Sequence, residues 1–209
     1  MSVESEVARR LLQIKAIKLN PQNPFTWASG MKSPIYCDNR LALSYPNVRD
    51  YLIYSMSRKA IAMGKYDAIA GVATAGIAFG ALVAADQNKP MVYVRSKAKA
   101  HGRQNLIEGH LDGNEKVLII EDLISTGGSS LKAVEAVRAT GCEVVGVLAI
   151  FSYGFNKAFK AFADAECPME TLSNYGELLN EAVKSEYITE AQQKDLEKWS
   201  SSPETWVAT

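Results

Sequence analysis

The sequence predicts an α/β fold: a central, mainly parallel sheet flanked by helices, with a small N-terminal substructure beside it. Three observations carry this. From residue 46 onward short apolar runs alternate with helical patterns, the order that builds a parallel, helix-covered sheet. Val117-Leu118-Ile119-Ile120 is apolar at every position, as in a strand buried on both faces. That run ends in Glu121-Asp122, and a Ser-Thr-Gly-Gly-Ser turn over residues 125–129 opens the next helical pattern.

The elements follow in order. Val3, Val7, Leu11, Leu12, Ile14 and Ile17 fall near helical spacing and predict a helix over 3–18, stopped by Asn20-Pro21-Gln22-Asn23-Pro24. Residues 25–36 read as two short strands around Ser29-Gly30. Pro46 opens a helix that closes before Gly64. Strand 68–72, helix 76–87, strand 91–95, a basic segment 95–103 and a short strand near 106–109 come next. Strand 116–121, helix 128–140, strand 143–150 and helix 155–163 follow, with weaker helical patterns at 175–183 and 189–199. Asp112-Gly113 is a hairpin-type turn signal. The residues between Asp67 and Asp86 carry no charge, but they are rich in Ala and broken by Gly71, Gly76 and Gly80. They read as strand, loop and helix rather than as a membrane span.

At 209 residues the chain suits one domain, 1–209, with a sizeable core. Lys plus Arg and Asp plus Glu are equal at 23 each, a balance that gives no support to nucleic-acid or membrane-surface partners. Cys37, Cys142 and Cys167 are far apart, with no C-x-x-C pair and no His cluster. That argues against zinc and for a reducing, cytoplasmic setting, with Cys37 read as a small buried residue ahead of the alternative, a reactive thiol. The polar, acidic N-terminus is not a secretory signal.

The chemistry concentrates at 117–130. Carboxylates at the carboxyl end of a sheet strand sit where open α/β sheets bind ligands. The turn offers hydroxyls, backbone N–H groups and the positive end of a helix to a phosphate, and glycine lets the backbone come close to it. Sugar hydroxyls or a metal on one side and a phosphate on the other describe a phosphorylated ribose. The bland alternative is a strand–turn–helix with an acidic edge. No Gly-Lys-Ser/Thr follows the glycines and no G-x-G-x-x-G is present, so neither a Walker loop nor a dinucleotide fingerprint applies. The small residues of 71–76 let successive N–H groups form a concave anion site, or serve a close-packed turn. Arg95, Lys97, Lys99, His101 and Arg103 fall at every second position, on one face of an extended chain. Beside a polyphosphate that face clamps it; alone it is a solvated basic loop.

Residues 117–130 resemble the ribose-phosphate motif of the type I phosphoribosyltransferases, which use phosphoribosyl pyrophosphate (PRPP). Arg95, Lys99 and His101 match the Arg-x-x-x-Lys-x-His spacing of the catalytic loop in the orotate phosphoribosyltransferases. Phe25-Thr26-x-x-Ser29-Gly30-x-Lys32-Ser33-Pro34 resembles that family's hood segment. The resemblance implies a type I phosphoribosyltransferase fold, with residues 1–40 contributing the hood over the base site. It implies transfer of the phosphoribosyl group from PRPP to orotate, giving orotidine 5′-monophosphate and pyrophosphate, in pyrimidine (UMP) biosynthesis. PRPP would be held by Arg95, Lys99, His101 and Thr74, and by Glu121, Asp122, Leu123, Ile124, Ser125, Thr126, Gly127, Gly128 and Ser129. Catalytic roles fall to Lys99, His101, Arg95 and Asp122, and orotate contacts to Ser125, Phe25, Lys32 and Tyr36. Mg²⁺ would be bound mainly through PRPP and water, near Glu121 and Asp122. The resemblance further implies a homodimer whose loop 95–106 reaches the partner's site, and a non-proline cis peptide with Ala73–Thr74 the candidate. The chain departs from many relatives at Ser96 and Ala28, where a Lys is common, and near Tyr153, where some carry an Arg. It looks like the Gram-positive-type subgroup. Two rival readings are a phosphoribosyltransferase for another nucleobase, against which the hood argues, and a non-catalytic PRPP-sensing regulator, for which the catalytic loop is surplus.

Overall fold

The structure is a computed structural model that describes residues 2–27, 30–97 and 106–206. Ala28, Ser29, Lys99, His101 and Arg103 lie outside the described residues.

Helix α1, Val3–Gln13, is capped by Ser2, whose hydroxyl accepts the Ser5 N–H. It ends short of the predicted residue 18. Lys15 takes φ +57° and the chain turns into strand β1, Ile17–Leu19. Ile17 and Leu19 are buried either way, which is why a helical count absorbed Ile17. Strands β2, Phe25–Thr26, and β3, Lys32–Ser33, form the expected hairpin. Strand β4, Ile35–Cys37, pairs antiparallel with β1. A 3-10 helix, Asn39–Ser44, not anticipated from the sequence, leads into α2, Pro46–Ala62.

The main sheet then builds from β5 (Ala68–Val72), α3 (Ala75–Gln87), β6 (Met91–Val94), β7 (Ile107–Glu108), β8 (Lys116–Ile124), α4 (Gly128–Arg138), β9 (Glu143–Ser152), α5 (Asn156–Asp164) and β10 (Met169–Asn174). Helices α6, Tyr175–Lys184, and α7, Glu190–Ser201, close the chain. Strand order is β10-β9-β8-β5-β6-β7, with β7 antiparallel to β6 and every other pair parallel. Strand β10 escaped the sequence reading because Met-Glu-Thr-Leu-Ser-Asn is an edge strand with little apolar content. The unbroken apolar run in β8 means what it predicted. Leu118 and Ile120 face one core, with residues of α1, α2, α3, α6 and α7; Val117 and Ile119 face the other, with α4 and α5. The charge-free stretch divides into β5 and α3, and no helix among the described residues is long and apolar enough to cross a membrane.

Candidate active site

Strands β5 and β8 are parallel neighbours, so their carboxyl ends deliver both small-residue loops to the same edge of the sheet. The Ala73–Thr74 peptide is cis, as the resemblance implied, and α3 begins at once after it. Gly76 in its first turn lies directly on β8. A Cβ there would stand 2.5 Å from the Ile120 carbonyl oxygen and 3.3 Å from Glu121 Oε1. On the other side Gly127 adopts φ +83°, the left-handed turn that ends the loop after β8 and opens α4. Neither α3 nor α4 has a side-chain cap, so both present first-turn N–H groups toward the edge where the carboxylates sit.

Strand β8 runs on to Ile124, three residues beyond the predicted end, which places Glu121 and Asp122 inside the strand. Glu121 is 5% exposed; its carboxylate accepts the Asp122 N–H at 3.1 Å and the Ser129 and Ser130 hydroxyls at 3.4 Å each. Burial, and then the neighbouring Asp122 charge, push its carboxyl up to about 8. Asp122 is raised as well, chiefly by burial. Ile124 corrects one expectation: its side chain is fully buried in the α4–α5 core, so only its backbone is open to a ligand. Ser125 and Leu123 are half-buried, while Thr126, Gly128, Ser129 and Thr74 are exposed at the edge.

The two cavities at this edge sort the remaining candidates. One, of about 460 Å³, is lined by Ala73, Arg95, Leu106, Ser129 and Lys132. Arg95 is not a free cation there; its guanidinium donates to Glu108 Oε1 at 3.2 Å across the β6–β7 pair. An anionic ligand would have to draw it away. The other cavity, of about 350 Å³, joins Ser125 and Thr126 to Trp27 and Met31 of the N-terminal substructure and to Phe155 and Lys157. The base-contact candidates Phe25, Lys32 and Tyr36 do not line it. They cluster among themselves, with Phe25 tilted on Tyr36 at 5.7 Å and Lys32 Nζ donating to Thr26 Oγ1 at 2.9 Å. Tyr153 is buried and stacked on Trp27 at 5.2 Å. The thiol of Cys37, half-buried rather than buried as expected, donates to Asn39 Oδ1 at 3.4 Å, and desolvation pushes it well up.

Asn39 is the residue that sequence reasoning missed. It is fully buried and its Nδ2 donates to the Asp122 backbone oxygen at 2.8 Å, tying the N-terminal substructure to the acidic strand. A polar residue just beyond a short strand gives no periodic signal. The Asn39→Ala variant is expected to lose about 2 kcal/mol of stability, since a buried carbonyl is left unpaired. Urea unfolding checks it, and an unchanged midpoint would mean that water replaces the amide.

Residues 47–185 match the family described as the phosphoribosyl transferase domain. An orotate phosphoribosyltransferase of Phocaeicola vulgatus is 55% identical over 208 residues, 99% of this chain and 98% of the relative. The chain belongs to the orotate phosphoribosyltransferase family. A Listeria innocua member is 52% identical over 99% of both chains. Among solved structures, the UMP synthase of Leishmania donovani superimposes with a TM-score of 0.78 at 30% identity, covering 94% of this chain and 42% of that one. The orotate phosphoribosyltransferase of Aeropyrum pernix, at 24% identity, shares the fold with a TM-score of 0.76 over 87% of this chain and 99% of the other. The type I fold that the family has is the one described above, with its six-stranded, mostly parallel sheet.

Proposed function

We propose that the β5–β8 edge carries out the family's reaction, transfer of the phosphoribosyl group from PRPP to orotate, giving orotidine 5′-monophosphate and pyrophosphate in pyrimidine (UMP) biosynthesis. The observation that supports it best is the meeting of two uncapped helix starts around buried Glu121 and half-buried Asp122.

The roles follow from the chemistry. Ribose C1 loses pyrophosphate and becomes cation-like, and an already anionic base attacks it, so no nucleophilic side chain is needed. The protein orients two reactants and stabilises charge on the leaving group. Glu121 and Asp122 hold ribose hydroxyls, and residues 125–129, through backbone N–H groups and hydroxyls, hold the 5′-phosphate. Thr74 and its loop, Arg95, Lys99 and His101 take the pyrophosphate, with loop 95–106 excluding water. Ser125 touches the base; for Phe25, Lys32 and Tyr36, which lie outside the Ser125 cavity, base contact rests on the family resemblance alone. Mg²⁺ fits this donor set. The paired carboxylates are hard oxygen ligands, held in protonated form chiefly by burial, while the described residues hold no cluster of three metal-binding side chains. When bound, the cation neutralises pyrophosphate charge, held mainly by PRPP and water. The family resemblance supports one working domain, residues 1–209, a cytoplasmic setting, and a homodimer sharing its catalytic loops.

Orotate consumption, followed by absorbance with PRPP and Mg²⁺ present, tests the reading, with uracil, adenine and hypoxanthine in parallel. Turnover of orotate alone is expected. Turnover of a purine would overturn the base assignment, and PRPP binding without turnover of any base would overturn the enzyme.

A further inference from the structure

Trp199 lies on α7, outside the matched residues 47–185, and is fully buried. Its ring meets four others. It stands edge-on to Trp27 and to Tyr153, at 5.9 Å each, and to Phe155 at 5.4 Å, and is tilted against Tyr175 at 5.3 Å. Trp27 is the N-terminal substructure's end of this cluster. Its indole N–H donates to the Ile35 carbonyl at 3.2 Å, so it carries β4 with it. Tyr153 is the sheet's end; its N–H donates to the Ile124 carbonyl at 3.1 Å, one residue before Ser125. Beyond Trp199 the chain continues as Ser200–Thr205, which line the cavity opposite Ser125 and Thr126.

We propose that Trp199 is a positioning residue for the base: through Trp27 it fixes how the hood sits over Ser125, while the tail 200–205 closes the outer side of that cavity. The proposal rests on the orotate reading above and adds to it an element outside the matched family residues. Among the described residues, hairpin β2–β3 pairs Phe25 with Ser33 and Thr26 with Lys32, and the Trp27 N–H donates to the Met31 carbonyl at 3.0 Å. So short a hairpin does not hold itself in place, and its orientation comes from what it packs on. Aromatic pairs favour edge-to-face or offset arrangements, so a fixed Trp199 selects one placement of the Trp27 ring. The pyrophosphate end is served differently. Ala73, Arg95 and Ser129 line the other cavity, away from the aromatic cluster.

Trp199→Phe keeps an apolar ring but shrinks the surface on which Trp27 packs. The KM for orotate is expected to rise about tenfold, with the KM for PRPP within about twofold of wild type, because loss of positioning at one substrate weakens that substrate alone. Tyr66→Phe is the control. Tyr66 is buried in the same core but outside this ring cluster, and its change should leave both constants unchanged. Should Trp199→Phe fail to fold by thermal unfolding, Trp199→Leu, which removes the ring against Trp27 but keeps an apolar side chain, carries the same expectation. A folded variant with both KM values unchanged, or raised by equal factors, overturns the proposal and leaves Trp199 a core residue. That outcome is distinct from a wild-type protein that fails to consume orotate, which overturns the underlying reading instead.

Discussion

Glu121→Gln is expected to make the unliganded protein more stable and much less active. Unfolded, this carboxyl ionises near its ordinary 4.5; folded, it keeps its proton up to about 8. Between those values the native state holds a proton that the unfolded chain has released, so native stability falls as pH rises through the window. An amide cannot ionise and escapes that loss. At about pH 7.5 the variant should gain on the order of 2 kcal/mol, seen as a rise of roughly 6 °C in Tm; near pH 5 the gain should largely vanish. Activity goes the other way. Ribose hydroxyls and a cation's waters need the anion, and kcat/KM for PRPP should fall about a thousandfold. A Tm that drops at pH 7.5 would mean that Glu121 is already ionised and compensated, and the site would then not be waiting for a cation. A ligand that binds the ionised pair releases the Glu121 proton, so Mg²⁺–PRPP should stabilise the fold more at higher pH.

Two glycines at the same edge should separate fold from ligand. Gly76→Ala puts a Cβ 2.5 Å from the Ile120 carbonyl oxygen and 3.2 Å from the Glu121 Cα. Both are backbone atoms of a central strand and cannot step aside. Helix α3 must lift off β8, at a cost of about 3 kcal/mol, or roughly 9 °C in Tm. Activity falls with it, since the displaced turn is the one facing Glu121. At Gly128 a Cβ would meet nothing within 4 Å, and the backbone φ is unexceptional. Gly128→Ala should therefore keep the wild-type Tm and yet weaken PRPP binding about tenfold, because the only thing a methyl group there obstructs is an anion approaching the first turn of α4. Calorimetric titration with PRPP beside thermal unfolding reads both. If Gly128→Ala binds PRPP as well as wild type, the phosphate does not sit on that turn.

The sequence alone determined more of this site than of the structure around it. Strand 68–72 and strand β8 were legible because each is an apolar run of neighbours in the chain; the cis bond at Ala73–Thr74 came from the family resemblance, and the left-handed turn at Gly127 only from the structure. The overshoot of α1, by contrast, arose because Ile17 fits a helical stripe and a buried strand equally well; only its pairing with Cys37 on β4 decided between them. Strand β10 lacks an apolar signature because an edge strand with one parallel neighbour does not need one. The Arg95–Glu108 pair, the Asn39 bond to Asp122 and the Trp27–Tyr153–Trp199 cluster join residues far apart in the chain. No local pattern encodes them. The acidic strand end and the glycine turn proposed to hold the phosphate are written into one short run of sequence, since backbone N–H groups and adjacent carboxylates are local. The cavity proposed for the base joins the N-terminal substructure, the turn after β8 and the C-terminal helix, so only packing in three dimensions could decide it.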